Sequence, residues 1–419
     1  GDYNTALGYQ AGSALTTGGR NVIIGSAAGD AIQTASSNVI IGDEAVGGGV
    51  LTADQNIAIG RNSGHDLTSG DNNVLLGFES GSNQTTASAN TFLGWKAGGL
   101  GVVTGGTNVG VGPQALYDLT SGADNISVGY RSAYNVTTGA KNIAIGSFAL
   151  TNPDTEGDNL AIGYNSMSAS IAGGEDNVAI GNYTLENLVA GDLNTVVGYN
   201  AGNDIVNSDG NTFFGNGAGN IVSSGSQNVA VGNAAGQTNV SGDQNISIGY
   251  NAKTSADNTQ NSIVIGANIA TVDNRVAIGK SGALIFADFA SSATWTQSSD
   301  ERLKDNITST DLGLEFINEL RPVTFKWKDT STVPQELTKH KTETNAKDTE
   351  TLQYGLIAQE VKSAMDKVGH DKFTGWDLDE DDSQSLREGQ FIYPLIKAVQ
   401  ELSAQVTTLQ NEVNTLKGE

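Results

Sequence analysis

Along the first two-thirds of the chain, apolar residues come in bursts of three divided by longer polar stretches. Each burst begins just after an asparagine. Asn recurs at 4, 21, 38, 56, 73, 90, 108, 125, 142, 159, 177, 194, 211, 228 and 245, always 17 or 18 residues apart. Gly lies four residues after each Asn (Gly8, Gly25, Gly42 and on to Gly249), and the residue before that Gly is always apolar. Three after the Gly stands Ala, Ser or Thr, from Ala11 to Ala252. The unit is N-x-x-φ-G-x-x-[AST], where φ is apolar. Degenerate copies follow at Ser262–Gly266 and Arg275–Gly279. A repeat at such a period predicts stacked coils.

Each apolar burst predicts one short strand, ended by Gly where the backbone must bend or take positive φ. Asn+1 is mostly β-branched and Asn+3 always apolar, so these two are expected to share a buried face, with Asn+2 on the other side. Asn+2 varies widely (Ile23, Ala58, Phe92, Gly110, Ser127, Phe213). Stacking is expected to align the Asn amides in a ladder. Segments such as Thr17–Gly18–Gly19, Ser69–Gly70–Asp71 and Ser121–Gly122 close the coils. At about 4.8 Å per coil the shaft is roughly 75–80 Å long. So thin a coil needs neighbouring coils, and neighbouring chains, to complete its burial.

The pattern changes near residue 300. Residues 281–298 leave the repeat and read as a link. Leu314, Phe316, Ile317 and Leu320 have helical spacing up to Pro322, and Val323–Trp327 alternates as a strand. Residues 329–352 read as an exposed polar arm. Tyr354–Val361 reads as a strand entering a helix. The end is a heptad seam over 391–417, with Ile392, Val399, Val406 and Val413 at a and Leu395, Leu402, Leu409 and Leu416 at d. Eight fitting positions favour a coiled coil over a helix lying on a globular core. β-branched a with Leu at d leans toward dimers by the usual rule.

Composition sharpens the division. Residues 1–299 hold 48 Gly, 8 basic and 23 acidic residues; residues 300–419 hold 6 Gly, 14 basic and 23 acidic. The organisation is therefore a shaft over 1–280, a link over 281–298 and a second domain over 299–419. The net charge of −24 argues against a basic face for nucleic acid or anionic membrane. No apolar run is long enough for a membrane helix, and the first residues do not read as a signal peptide. With no Cys and three His (His65, His340, His370), thiolate catalysis and His-based metal sites are not expected. No cofactor or metal is expected. The acidic cluster Asp377, Asp379, Glu380, Asp381, Asp382 lacks the Gly and distal Glu of a calcium loop and reads as solvated. Gly215-x-Gly217-x-Gly219 lies in a repeat turn and is no dinucleotide fingerprint.

The repeat resembles the left-handed parallel β-roll heads of trimeric autotransporter adhesins over residues 4–266. That resemblance implies a homotrimer; the 17-residue unit here is longer than that family's coils, and its membrane-anchoring barrel is missing. The second segment carries S-D-x-R-x-K-x-x-I (Ser299–Ile307), L-x-P-V-x-F-x-W (Leu320–Trp327), Y-G-x-I-A-Q-E-V (Tyr354–Val361) and a terminal helix. Together these resemble the endosialidase-type intramolecular chaperone of phage tail fibres and tailspikes. The resemblance implies a domain that trimerises, templates the shaft and cuts itself off through a Ser–Lys dyad. The dyad falls on Ser299 and Lys304, with the cut at Ser299–Asp300. Lys can deprotonate a Ser hydroxyl only where burial lowers its pKa. Asp300, Arg302 and Asp305 stand near enough to position the strand or offset charge. A plainer local reading also stands: Ser298 with Glu301 fits a capping box, and Ser299 caps a short helix over 300–306. Turnover by such a dyad is single and in cis, so any enzyme activity is self-processing.

The fold class expected is a mainly β, homotrimeric shaft of parallel β-roll coils, then an α+β domain ending in a coiled coil. The function expected is the distal part of a phage tail fibre, a virion component made in the host cytoplasm. An N-terminal attachment part is expected to precede residue 1. Its partners are two further copies of the chain and a host cell-surface glycan or protein receptor, with no nucleic acid and no membrane insertion. Turn aromatics (Trp95, Tyr130, Tyr164, Tyr183, Tyr199, Tyr250) are suited to stacking on sugars, though exposed single aromatics are ordinary. A tailspike depolymerase is the alternative; coils without long insertions, and no outstanding carboxylate pair, speak against it. A bacterial trimeric adhesin is the third.

Overall fold

The structure is a computed structural model that describes residues 1–289, 292–297, 301–334, 337, 349–379 and 381–418. It divides into two compact units, Gly1–Ser298 and Ser299–Glu419.

The first unit is a parallel β-solenoid. Three-residue strands from Thr5–Leu7 to Ile246–Ile248, one per coil, stack in register, with Thr5 opposite Val22 and Val22 opposite Val39. Ile263–Ala267 and Arg275–Lys280 continue the stack in the degenerate copies. The Asn ladder forms as expected. Asn38 donates its backbone N–H to Asn21 Oδ1 at 2.9 Å and its amide to the same oxygen at 3.2 Å, then reaches Ala53 O in the next coil at 3.1 Å.

The strand faces are the reverse of the expectation. Asn+2 is inside: Ile23, Ala58, Phe92, Phe213 and Ser127 are buried. Asn+1 and Asn+3 point outward, half-exposed on nearly every coil. The ladder itself sets the parity. Asn21 is fully buried, and side chains alternate, so the residue two after an inward Asn also points inward. The variety at Asn+2 is packing inside a narrow coil. Phe92 fills the space that Gly98 leaves open, and Gly110 occupies the Asn+2 position of the next coil. A Cβ on either glycine would meet the ring, at 2.4 and 3.1 Å.

Residues 281–298 are not merely a link. Ala283–Asp288 pairs antiparallel with Arg275–Lys280, and Ser292–Gln297 pairs antiparallel with Ala283–Asp288. Ser281–Gly282 form a two-residue reversal, with Gly282 at φ +80°. The hairpin pairs with the last edge of the parallel stack, which would otherwise present unpaired N–H and C=O groups.

The second unit holds three helices: α1 (Leu314–Glu319), α2 (Ala358–Lys367) and α3 (Ile392–Lys417). Strands Val323–Phe325 and Gln353–Gly355 pair antiparallel, as do Trp376–Leu378 and Gln384–Leu386. A small core gathers Leu312, Phe316, Val361, Ala364 and Met365, with Phe373 and Phe391 against Phe316. Part of the polar arm, residues 335–336 and 338–348, lies outside the described residues. Among the described residues, no helix is long and apolar enough to cross a membrane.

Candidate functional site

The motifs of the second unit converge through side-chain contacts. Arg321, just before Pro322, pairs with Glu360 of the Q-E-V motif across the ends of α1 and α2. Its guanidinium pKa is raised by the hydrogen bond to that carboxylate. Glu319 pairs with Lys367 at 2.5 Å, tying the same two helices. Glu401 on α3 accepts the Leu314 N–H at 2.7 Å, satisfying a donor at the start of α1. Gly313 makes this approach possible, since a Cβ there would lie 2.3 Å from the Glu401 carboxylate.

Ser299 and Asp300 lie outside the described residues, as does Ser298 of the capping-box reading. Lys304 follows a 3₁₀ turn (Glu301–Leu303), donates its backbone N–H to Glu301 O at 3.0 Å, and is exposed in the isolated chain. Arg302 and Asp305 are exposed too. The acidic cluster sits on the Trp376–Leu386 hairpin, where Asp377 pairs with Arg387 and Asp379 accepts from Ser383; Glu380 is outside the described residues. Among the described residues, no group of three or more acidic or His side chains is placed to hold a metal ion.

Residues 299–370 match the family model described as chaperone of endosialidase. The C-terminal segment is of the endosialidase-chaperone type. No curated protein and no solved structure gives a match to the chain. The matched stretch of the chaperone segment starts at Ser299 and includes Lys304, Arg321 and Glu360. The 3₁₀ turn, α1, the antiparallel strand pair and α2 fall within it. α3 lies beyond it, with all eight heptad residues exposed, from 41% at Val413 to 88% at Leu416.

A second candidate site lies on the solenoid. Five rings on five successive coils, Tyr130, Phe148, Tyr164, Tyr183 and Tyr199, form an unbroken edge-to-face ladder with centroids 5.3, 6.0, 5.4 and 5.8 Å apart. They occupy Asn+5 and Asn+6 in alternation. Arg131 is held between Tyr130 and Tyr134, 5.4 and 5.0 Å from the ring centres, and its Nε donates to Gln114 at 2.9 Å. Tyr134 stacks on Tyr117 at 4.9 Å. Burial, then the neighbouring Tyr117, raises the Tyr134 pKa. Tyr117 also lines a groove of about 220 Å³ with His65, Glu79 and Lys96. Beside Tyr183, Glu186 accepts from Asn165 at 3.2 Å and from Asn203 at 2.9 Å. The sequence shows four of these rings singly but misses Phe148 and Arg131. The signal lay in the alternation of Asn+5 and Asn+6, which places rings on every coil from 125 to 210.

Half-buried Asp118, next to Tyr117, has its pKa raised above the ordinary value of 3.8, first by burial and then by repulsion from Asp154. A raised carboxyl pKa contributes stability that is fully present below pH 3.8 and is lost as pH rises through the folded value. Asp118→Asn should therefore raise the melting temperature by roughly 1–2 °C at pH 7, and by nothing at pH 3, as read by thermal circular dichroism.

Proposed function

We propose that this chain is the distal part of a homotrimeric phage tail fibre that attaches to the host surface. Its C-terminal segment aligns three copies, templates the solenoid and cuts itself at Ser299–Asp300. The observation that carries this reading is the joining of a parallel β-solenoid to an endosialidase-type chaperone segment, a pairing that fits a tail fibre or tailspike. The chaperone role has a physical need behind it. Long stacks of non-local pairings form slowly and slip in register, so a seed that fixes the chains in line speeds and corrects assembly.

Two exposed surfaces support several chains per particle. The outward Asn+1 and Asn+3 side chains leave two apolar ladders along the solenoid, among them Ile57, Leu76, Leu93, Ile126 and Ile145. Covering each half-exposed side chain contributes on the order of 1 kcal/mol, repeated coil after coil. The α3 seam offers a second such surface at the other end of the sequence. The number three comes from the family resemblances, against the dimer leaning of the heptads.

Ser299 is the proposed nucleophile and Lys304 its base. The burial that Lys304 needs to act as a base is supplied in this reading by the neighbouring chains, so assembly precedes cutting. The test is intact mass and a denaturing gel on fresh protein, with sedimentation of the native particle. Wild type should give pieces of 299 and 120 residues. Ser299→Ala and Lys304→Ala should each stay a single 419-residue chain, a loss of at least about 10⁴-fold in cutting rate. Both variants should sediment at three times the 43.2 kDa chain mass, and wild type at that mass with its pieces held together or at the mass of three 299-residue pieces once they part. One uncut chain in every case removes the protease and leaves a permanent oligomerisation cap. A 43.2 kDa particle removes the trimer.

A further inference from the structure

The ring ladder from Tyr130 to Tyr199 is not required by the fold. At the same two corner positions coils outside the ladder carry Ser26, Asp43, Asn216 and Asn233 (Asn+5), or Asn62 and Asn251 (Asn+6), in the same stacked geometry. Asn+6 is moreover a left-handed position: Tyr183 sits at φ +59° and Phe148 at φ +60°. Bulky residues pay for that conformation, whereas Asn takes it readily. Aromatic rings thus stand in corners that are either exposed (Asn+5) or left-handed and half-buried (Asn+6), where a polar residue serves the fold as well. Tyr130, Tyr164 and Tyr199 are 38%, 42% and 55% exposed.

We propose that this ladder, with the Tyr117–Tyr134 stack and Arg131 beside it, is a binding site for an uncharged polysaccharide. The inference rests on the attachment role proposed above and names its ligand class. The ligand is linear and repeating, as the site is: one ring per coil over four coil steps, roughly 19 Å at about 4.8 Å each. Aromatic faces carry partial negative charge and attract the C–H-rich face of a sugar ring. The groups beside the rings suit hydroxyls, because the Glu186 carboxylate, held by the Asn165 and Asn203 amides, has further lone pairs, and Arg131, fixed through its Nε, has further N–H groups to donate. Charge excludes the acidic polymers. The first 299 residues carry 23 acidic and 8 basic side chains, and such a surface repels polyanions. The site is also distinct from the outward strand face. Along each coil a positive-φ glycine (Gly129, Gly146, Gly163, Gly181, Gly198) separates the strand from the ring in sequence.

The test is the double variant Tyr164→Asn/Tyr183→Asn in the full chain. Both replacements copy residues that other coils hold at those positions, and Tyr183→Asn relieves a left-handed residue, so the fold is kept. Retention is read on an array of purified bacterial polysaccharides, uncharged and anionic, beside sedimentation and binding of labelled protein to a panel of bacterial cells. Wild type should be retained by at least one uncharged polysaccharide. The variant should lose at least about tenfold in retention, or 1.4 kcal/mol, with unchanged sedimentation. Retention only on anionic polymers, on none, or equally for variant and wild type overturns the site. So does a variant that falls apart, since the rings then belong to an interface between copies. Cells bound equally by both proteins leave attachment standing and remove the site; no cell bound by wild type removes attachment itself.

Discussion

Gly129→Ala is expected to destabilise the solenoid strongly. Gly129 ends its strand at φ +139°, a region L side chains rarely enter. A Cβ there would lie 2.6 Å from the carbonyl oxygen and 2.7 Å from the carbonyl carbon of Gly146, in the next coil. Both atoms belong to backbone held in register, so neither can swing aside. Conformational strain contributes about 1–3 kcal/mol and the forced separation of coils about as much again. Gly173→Ala separates the two costs. Gly173 also has positive φ, +115°, but nothing lies within 4 Å of its added Cβ. Thermal unfolding of the full chain should show a large loss for Gly129→Ala and only the smaller, conformational part for Gly173→Ala. Equal losses would mean that the close stacking of coils carries no energetic weight.

Asn125→Ala is expected to follow closely. The Asn125 Oδ1 accepts the Asn142 N–H at 2.9 Å, and its amide donates to Asn108 Oδ1 at 3.0 Å and Gly139 O at 2.9 Å. All three coils are dry at this point, with Asn108, Asn125 and Asn142 fully buried. Truncation leaves a buried N–H and a buried carbonyl unpaired, each costing about 1–3 kcal/mol. Asn125→Ser should recover part of the loss. Nature makes that replacement once, at Ser262, which accepts no further rung but donates both its N–H and its hydroxyl to Asn245. Chemical denaturation of Asn125→Ala, Asn125→Ser and the end-rung variant Asn4→Ala would rank them; Asn4, half-exposed at the first coil, should cost least. A ranking with Asn4 worst would overturn the ladder as a source of stability.

The period, the strands and the ladder were legible because each coil repeats one local solution, and fifteen repetitions average away the noise of any single one. The sidedness of the strands was legible too, yet read the wrong way round. Apolar Val22 and Ile24 look like core by composition, but Asn21 fixes the parity and turns Ile23 inward. Hydrophobicity failed as a guide because the outward face is as apolar as the core. The hairpin at Ala283–Gln297 escaped notice because antiparallel pairing onto a parallel edge leaves no trace of the 17-residue period. In the second unit the helices showed in their spacing, whereas Arg321–Glu360 and Glu401 capping α1 join residues 39 and 87 positions apart. Pairs so distant are invisible to a single sequence. Lys304 was found by motif alone, and its exposure in one chain could be seen only in three dimensions.

The in-register ladder also dictates how such a shaft can change length. Excising Asn125 through Lys141 would bring Asp124 to Asn142 with every rung, glycine corner and strand face intact. Removing one residue from within a strand instead turns the rest of it inside out and drives half-exposed valines and isoleucines into a space fitted for alanine, whereas the loops absorb a residue, as the 18-residue steps after Asn38, Asn90 and Asn159 show. Length in this molecule therefore comes in whole coils, and each coil can carry its own corner residues. Reach and surface chemistry are thereby free to vary by duplication and loss of coils.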